Sequence, residues 1–180
     1  IWYRSSWIKL NHDATGVATS ADGDYFASIG TDRHFTIRDK MGTILYELGL
    51  EGFGADDLWQ SFSAAISPDG SQLAVHDCLQ DFQDPYACKT RIVNWGTGEE
   101  IERINGNYPV YSPDGKYLVI WFDNKIQFYK TGDWSIAASY GIPGTGWKLN
   151  FSPSGEYFTL AGYDRVEVYR TDDFKLVRYI

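Results

Sequence analysis

The chain has 180 residues, 43% of them hydrophobic and 22% charged, a composition that predicts a folded protein and excludes a disordered one. Its net charge is −8 and its 16 lysines and arginines are scattered along the chain, so the basic patch typical of nucleic-acid binding is missing. No apolar run approaches the ~18 residues that a membrane-spanning helix needs. Seven Trp, thirteen Tyr and ten Phe among short runs of strand-forming residues favour β-sheet.

The first predicted element is an N-terminal strand with its linker, residues 1–15. Residues 2–10 (WYRSSWIKL) have the pattern of an outer strand, and residues 11–15 lead from it into the next unit. The chain begins at Ile1 rather than at a methionine, so we expect either a processed protein or an excised piece. Trp2, Tyr3, Trp7 and Ile8 are the residues through which this strand is predicted to self-associate.

One short phrase then recurs four times along the chain. It reads SADGDYFAS at 20–28, SPDGSQLAV at 67–75, SPDGKYLVI at 112–120 and SPSGEYFTL at 152–160. The central residue pairs are 47, 45 and 40 residues apart, which matches the ~40 to 45 residues of a four-stranded propeller blade.

The phrase has the residues of a tight turn. Proline at 68, 113 and 153 sets φ for the first central position, aspartate suits the next, and Gly70, Gly115 and Gly155 can adopt positive φ. Ala21, Asp22 and Gly23 take these places in the first copy, where alanine replaces proline. Each phrase is therefore predicted to be the tip of a β-hairpin.

Extending outward from each tip gives four strands per unit. In the third unit they are predicted at 108–112, 117–122, 125–130 and 135–140. The second strand, YLVIWF, is apolar on both faces, as expected between neighbouring blades, whereas outer strands such as EIERIN alternate. We predict an all-β fold, a β-propeller of four antiparallel four-stranded blades over 16–180, with blades near 16–50, 61–105, 108–141 and 147–180 and an extra N-terminal strand.

These repeats resemble the Ser-Pro-Asp-Gly propeller repeats of bacterial and archaeal proteins, which are related to the WD-repeat family. The resemblance covers nearly the whole chain and implies the propeller fold, but such propellers serve many unrelated roles. Where WD repeats carry Trp-Asp after the third strand, this chain has Arg38-Asp39, Asn94-Trp95, Tyr129-Lys130 and Tyr169-Arg170. The hydrogen-bonding tetrad of WD repeats is therefore not implied.

The N-terminal strand has no obvious vacancy to fill, because the last unit has its own fourth strand at 175–180. Three arrangements stay open: a fifth strand on the last blade of a closed monomer, membership of a larger propeller, or pairing with another copy of the chain. We favour the last.

Cys78 and Cys88 flank an inserted segment of nine residues, LQDFQDPYA. A disulfide that closes this segment is predicted, with two free thiols of a cytoplasmic protein as the alternative. The disulfide favours an extracellular, cell-surface or periplasmic location. The two cysteines lack a CxxC spacing, and we expect neither a metal nor a cofactor.

The loops between second and third strands and those between blades are expected to share one face, which in propellers usually binds partners. The predicted partner-binding residues on this loop face are Phe53, Asp56, Asp57, Trp59, Asp81, Phe82, Asp84, Tyr86 and Trp147. Further acidic and aromatic residues expected on the same face are Asp13, Asp32, Asp77, Asp123, Asp164 and Tyr108. Solvated turn aspartates and aromatics packed between blades are the alternative explanation.

Catalysis finds little support in the sequence. His12, His34 and His76 fall on different loops and strands, and neither a Gly-x-Ser-x-Gly nor an HExxH motif is present. We therefore expect a protein that is not an enzyme: a structural or interaction scaffold whose partner is another protein, including copies of itself. A propeller that binds carbohydrate or cations at a cell surface is the alternative, followed by a small hydrolase or lyase.

Overall fold

The computed structural model describes residues 14–30, 34–49, 63–78, 88–142, 147–162 and 164–180. Across these ranges it has sixteen strands in four antiparallel sheets, each with four strands in the order of the chain. No helix within them is long and apolar enough to cross a membrane. The predicted β-propeller of four antiparallel four-stranded blades is confirmed, and the predicted N-terminal strand lies outside the described residues.

Each sheet is one blade, and its first strand is the inner one. Blade 1 contains β1 to β4 (Ala14–Thr19, Tyr25–Gly30, His34–Asp39, Ile44–Gly49). Blade 2 contains β5 to β8 (Ala64–Ile66, Gln72–Cys78, Cys88–Asn94, Glu99–Asn105). Blade 3 contains β9 to β12 (Asn107–Tyr111, Tyr117–Phe122, Lys125–Lys130, Ile136–Gly141). Blade 4 contains β13 to β16 (Lys148–Phe151, Tyr157–Ala161, Val166–Arg170, Leu176–Tyr179).

Strand ends differ from the predicted ones by one or two residues. In blade 3 the second and third strands match the predicted 117–122 and 125–130, but the first ends at Tyr111 because Ser112 belongs to the turn. In blade 1 the first strand begins at Ala14, ahead of the predicted 16, through an irregular register between Ala14 and Gly16. Irregular ends of this kind depend on pairing and have no local sequence signal.

Every tip is closed by a serine clasp between the first two strands of a blade. In blade 2 the amide of Gly70 donates to the Ser67 carbonyl at 2.8 Å, which closes the turn. Ser67 Oγ accepts from the amide of Gln72 at 2.9 Å and donates to Asp69 Oδ1 at 2.5 Å. The same serine-to-amide bond is present in the other three tips at 2.9 to 3.1 Å.

The tip glycines have the backbone that the turn requires. Gly23, Gly70, Gly115 and Gly155 have φ of 73° or 74°, a region that residues with a side chain rarely adopt. The predicted positive φ at these four positions is confirmed. The tips therefore have one geometry, even though blade 1 has Ala21 in place of proline and blade 4 has Ser154 in place of aspartate.

Three apolar clusters hold neighbouring blades together. The first joins blades 1 and 2 through Phe35, Ile37, Leu73 and Val75, each at most 1% exposed. The second joins blades 2 and 3 through residues that include Ala74, Ile92, Leu118 and Ile120. The third joins blades 3 and 4 through residues that include Val119, Phe128, Phe158 and Leu160. A blade thus has a backward face toward the previous blade and a forward face toward the next.

Blades 2 and 3 are linked by one residue, Gly106, which lies between β8 and β9. Its φ is 120°, and an added Cβ would lie 2.4 Å from the carbonyl oxygen of Trp121 and 2.6 Å from Ile120. The buried hydroxyl of Thr90 donates to the Gly106 carbonyl at 3.0 Å. Only glycine fits this link, and the hydrogen bond holds it against blade 2.

Candidate interaction surface

The strand order places the predicted loops on a common face. Because strands alternate in direction, the turns between first and second strands lie at one end of each sheet. The turns between second and third strands and the links between blades lie at the opposite end, which is the loop face. Of the predicted partner-binding residues, Trp147 is described, whereas the others, Phe53, Asp56, Asp57, Trp59, Asp81, Phe82, Asp84 and Tyr86, lie outside the described residues.

Trp147 is half-buried at the loop face of blade 4. Its ring covers Gly162, where an added Cβ would come within 2.7 Å of the ring, and the Arg165 guanidinium lies 5.7 Å from the ring centroid. Arg165 also donates to Glu167 Oε1 at 2.7 Å, and Glu167 accepts a second bond from Tyr169. These contacts hold the Trp147 ring against its own blade. Much of the ring is therefore packed within the fold, as the alternative explanation for the loop-face aromatic residues expects, and is not available to a partner.

Tyr108 is the more accessible aromatic residue, 44% exposed, and it lies next to the Gly106 link. Its φ is 53°, a conformation that is unfavourable for a bulky side chain. The Tyr108 ring meets Trp121 edge to face at 6.4 Å between centroids and lies 6.3 Å from the buried ring of His76. Such strain persists only where the surroundings impose it, and it concentrates at functional sites.

The hairpin beside this pair adds a negative charge to the loop face. Asp123 and Asn124 form its turn with φ of 49° and 55°, the pattern of a tight two-residue hairpin. The Asp123 side chain is 64% exposed and lies 4.0 Å from Lys125, a weak ion pair. Sequence reasoning placed Tyr108 and Asp123 on this face but missed Trp121, because its pairing with Tyr108 depends on strand register.

A cavity of about 310 Å³ lies at the opposite end, between the tips of blades 2 and 3. Tyr111 lines it and donates its hydroxyl to Gln72 at 3.1 Å, and burial raises the Tyr111 pKa. Asp69 and Asp114 also line it. The hydrogen bond from Ser67 lowers the Asp69 pKa; for Asp114, burial raises the pKa, but bonds from Ser112 and Lys116 lower it overall. Both carboxylates already accept hydrogen bonds from the serines of their own tips, Ser67 and Ser112. The polar groups that line the cavity therefore serve to hold the turns.

The two cysteines are paired in register at the end of the ladder between β6 and β7 in blade 2. Cys78 and Cys88 are directly opposed Cα partners and end the pairing between β6 and β7. Opposed residues in an antiparallel pair lie ~4.5 to 5.5 Å apart at Cα, within the range that a disulfide spans. The nine residues between them, and the N-terminal residues Trp2, Tyr3, Trp7 and Ile8, lie outside the described residues.

The structure describes two of the three histidines. His34 is exposed at the start of β3, His76 is 6% exposed near the end of β6, and His12 lies outside the described residues. In the described part of the chain, no three His, Cys, Asp or Glu side chains are grouped so that they could hold a metal ion.

Comparison with known proteins supports the fold and does not indicate a function. No family model matches the chain, and no curated protein is similar to it in sequence. Among solved structures, the chain is similar to the Kuenenia stuttgartiensis hydrazine synthase, with a TM-score of 0.65 and 18% identity. The similarity covers 99% of this chain and 52% of the other, so the chain spans about half the length of that structure. At this identity the likeness shows the fold alone.

Proposed function

We propose that this protein is a non-catalytic interaction scaffold whose loop face binds a protein partner. The observation that supports this function most directly is Tyr108, an exposed aromatic residue in a strained backbone conformation beside Trp121. Tyr and Trp are the residue types that most often dominate the energy of protein interfaces. The expected partner surface is apolar with a positive rim, because Asp123 lies beside the pair and the chain has a net charge of −8.

The frame around Tyr108 suits such a role. Gly106 has no room for a side chain, and its carbonyl accepts a hydrogen bond from Thr90. Contacts with blades 2 and 3 therefore fix the backbone that leads to Tyr108. A fixed backbone reduces the conformational entropy lost on binding. We extend the proposal to an oxidising location outside the cytoplasm, on the basis of the opposed Cys78 and Cys88.

The experiment compares capture of partners by the wild type and by Tyr108→Asn. Asparagine tolerates a left-handed backbone, so this change removes the ring without adding strain. Met41→Asn is the matched control, since Met41 is 80% exposed in a turn at the opposite face. We expect cross-linking and mass spectrometry to find a protein captured by the wild type and by Met41→Asn but lost with Tyr108→Asn. Identical capture by all three proteins would contradict the proposal.

Binding of carbohydrate or a cation at the loop face is the second candidate. It rests on the same exposed ring of Tyr108, because a sugar stacks on aromatic faces as a protein side chain does. A thermal shift that a glycan produces in the wild type and not in Tyr108→Asn would favour this function. A shift with Ca²⁺ that a chelator abolishes would point to the cation version.

A further inference from the structure

The two cysteines share their strands with residues that support Tyr108. At the loop-face end of β6 and β7, Cys78 pairs with Cys88, and two residues further in, His76 pairs with Thr90. His76 is 6% exposed and Thr90 is fully buried. The cysteine pair therefore ends the ladder directly beyond a pair that belongs to the packed interior of blade 2.

Both members of the inner pair reach blade 3. The Thr90 hydroxyl donates to the Gly106 carbonyl at 3.0 Å, and the His76 ring lies 6.3 Å from the ring of Tyr108. Tyr108 in turn meets Trp121 edge to face. The end of the ladder between β6 and β7 thus supports both the Gly106 link and the exposed ring on the loop face.

The end of a strand pair is where a sheet opens most easily. Free energies of local opening range from near zero at fraying ends to the full unfolding free energy in the core. A disulfide between Cys78 and Cys88 would tie the two strands at this end, since opposed residues of an antiparallel pair lie within its span. The pair of His76 and Thr90 would then lie inside a closed ladder instead of two residues from an end that frays.

We propose that the redox state of Cys78 and Cys88 controls how firmly Tyr108 is held on the loop face. A disulfide oxidant such as oxidised glutathione takes two electrons and two protons from the thiols, so that one protein disulfide forms and two molecules of reduced glutathione leave. The oxidised chain holds Thr90 against Gly106, whereas the reduced chain opens there more often and has to be ordered when a partner binds. The inference rests on the proposed function and names the regulation of that site.

The test measures exchange of backbone amide hydrogens by mass spectrometry, in wild type treated with oxidised or with reduced glutathione. We expect residues 104–108 to exchange about 5-fold faster or more in the reduced protein, the lower end of typical coupling between sites. The turn at 131–135, at the opposite end of blade 3, is the internal control and should exchange equally in both forms. Cys78→Ser with Cys88→Ser should exchange as the reduced wild type does under either treatment.

Thr90→Val tests the route through the Gly106 link. Valine has nearly the shape of threonine and lacks the hydroxyl, so this variant should lose most of the difference between the two redox forms. Thr159→Val, the same change on the second strand of blade 4, is the matched control and should keep the difference. Free thiols after treatment with oxidised glutathione, equal exchange at 104–108 in both forms, or a full difference that survives Thr90→Val would each overturn the proposal.

Capture of a partner separates this inference from the proposed function. The oxidised wild type should capture more of the partner than the reduced wild type, and equal capture would overturn the regulation. Capture that Tyr108→Asn leaves unchanged contradicts the loop-face function instead. The exchange measurement needs no partner, so it decides in either case whether Cys78 and Cys88 control the Gly106 link.

Discussion

The ring of Tyr25 in blade 1 lies against the tip glycine of blade 2, with Cδ2 and Cε2 each 3.0 Å from the Cβ position of Gly70. Trp95 completes the contact, since its Nε1 donates to the Gly70 carbonyl at 2.6 Å and its ring centroid lies 5.4 Å from that of Tyr25. The tip of blade 2 is thus packed from two sides. Gly23, with the same turn geometry, has no described atom within 4 Å of its Cβ position.

The pair of substitutions Gly70→Ala and Gly23→Ala separates backbone strain from packing. Both residues have φ near 73°, so each change should cost about 1 kcal/mol from the unfavourable backbone. Gly70→Ala should cost about 1 kcal/mol more, because its Cβ crowds the Tyr25 ring. Urea unfolding followed by Trp fluorescence measures both, and equal losses would show that Tyr25 moves aside without cost.

Blade 4 provides a natural test of the serine clasp. Ser154 occupies the aspartate position, and its Oγ lies 3.3 Å from both Ser152 Oγ and the Glu156 amide, whereas Asp22 Oδ1 makes the equivalent contacts at 2.6 and 3.0 Å. Ser154→Asp should raise the free energy of unfolding by about 0.5 to 1 kcal/mol through charge-assisted hydrogen bonds. Ser154→Asn is the control with the same shape and no charge, and it should recover only part of the gain. A loss of stability with aspartate would refute the account.

Stability should fall in acid between about pH 4 and pH 2. The hydrogen bond from Arg170 lowers the pKa of Asp173 from 3.8 to about 2, and bonds from Ser20 and Ser67 lower those of Asp22 and Asp69. A carboxylate with a lowered pKa stabilises the fold above its unfolded pKa, and this contribution is lost as pH falls through the folded value. Thermal midpoints measured across this range should decline less steeply in Asp173→Asn. A decline that begins well above pH 5 would mean that other groups control it.

Cys78 and Cys88 should form a disulfide when the protein is exposed to an oxidant such as oxidised glutathione. Two thiols give up two protons and two electrons to the oxidant, and the bond closes the hairpin end where the two residues oppose each other. Closing this short loop should stabilise the fold by about 2 to 3 kcal/mol. A thiol assay should count no free thiol after oxidation and two after reduction, with a matching drop in the unfolding midpoint. Two reactive thiols under oxidising conditions would rule the bond out, and Cys78→Ser with Cys88→Ser is the control without either thiol.

The tips could be predicted from sequence because their chemistry is local. Serine, proline, aspartate and glycine act within one turn, and the four copies define both the turns and the strands that leave them. The Gly106 link could not be predicted, since its need for glycine comes from Trp121 and Ile120, far along the chain. The partial exposure of Thr159 and Val168 in blade 4 was equally hidden. Both residues lie on an ordinary strand pattern, and only the registers show that their equivalents in blade 3, Val119 and Phe128, are fully buried.

The single-residue link at Gly106 limits how this chain tolerates engineering. A fluorescent reporter or affinity tag inserted there would separate β8 from β9, displace the Thr90 hydrogen bond and shift Tyr108 away from Trp121. The turn at Gly132, where an added side chain would meet no described atom within 4 Å, lies at the other end of blade 3 and offers a permissive insertion site. The chain thus has a rigid joint in its middle, and labels for imaging or immobilisation belong in the turn at Gly132.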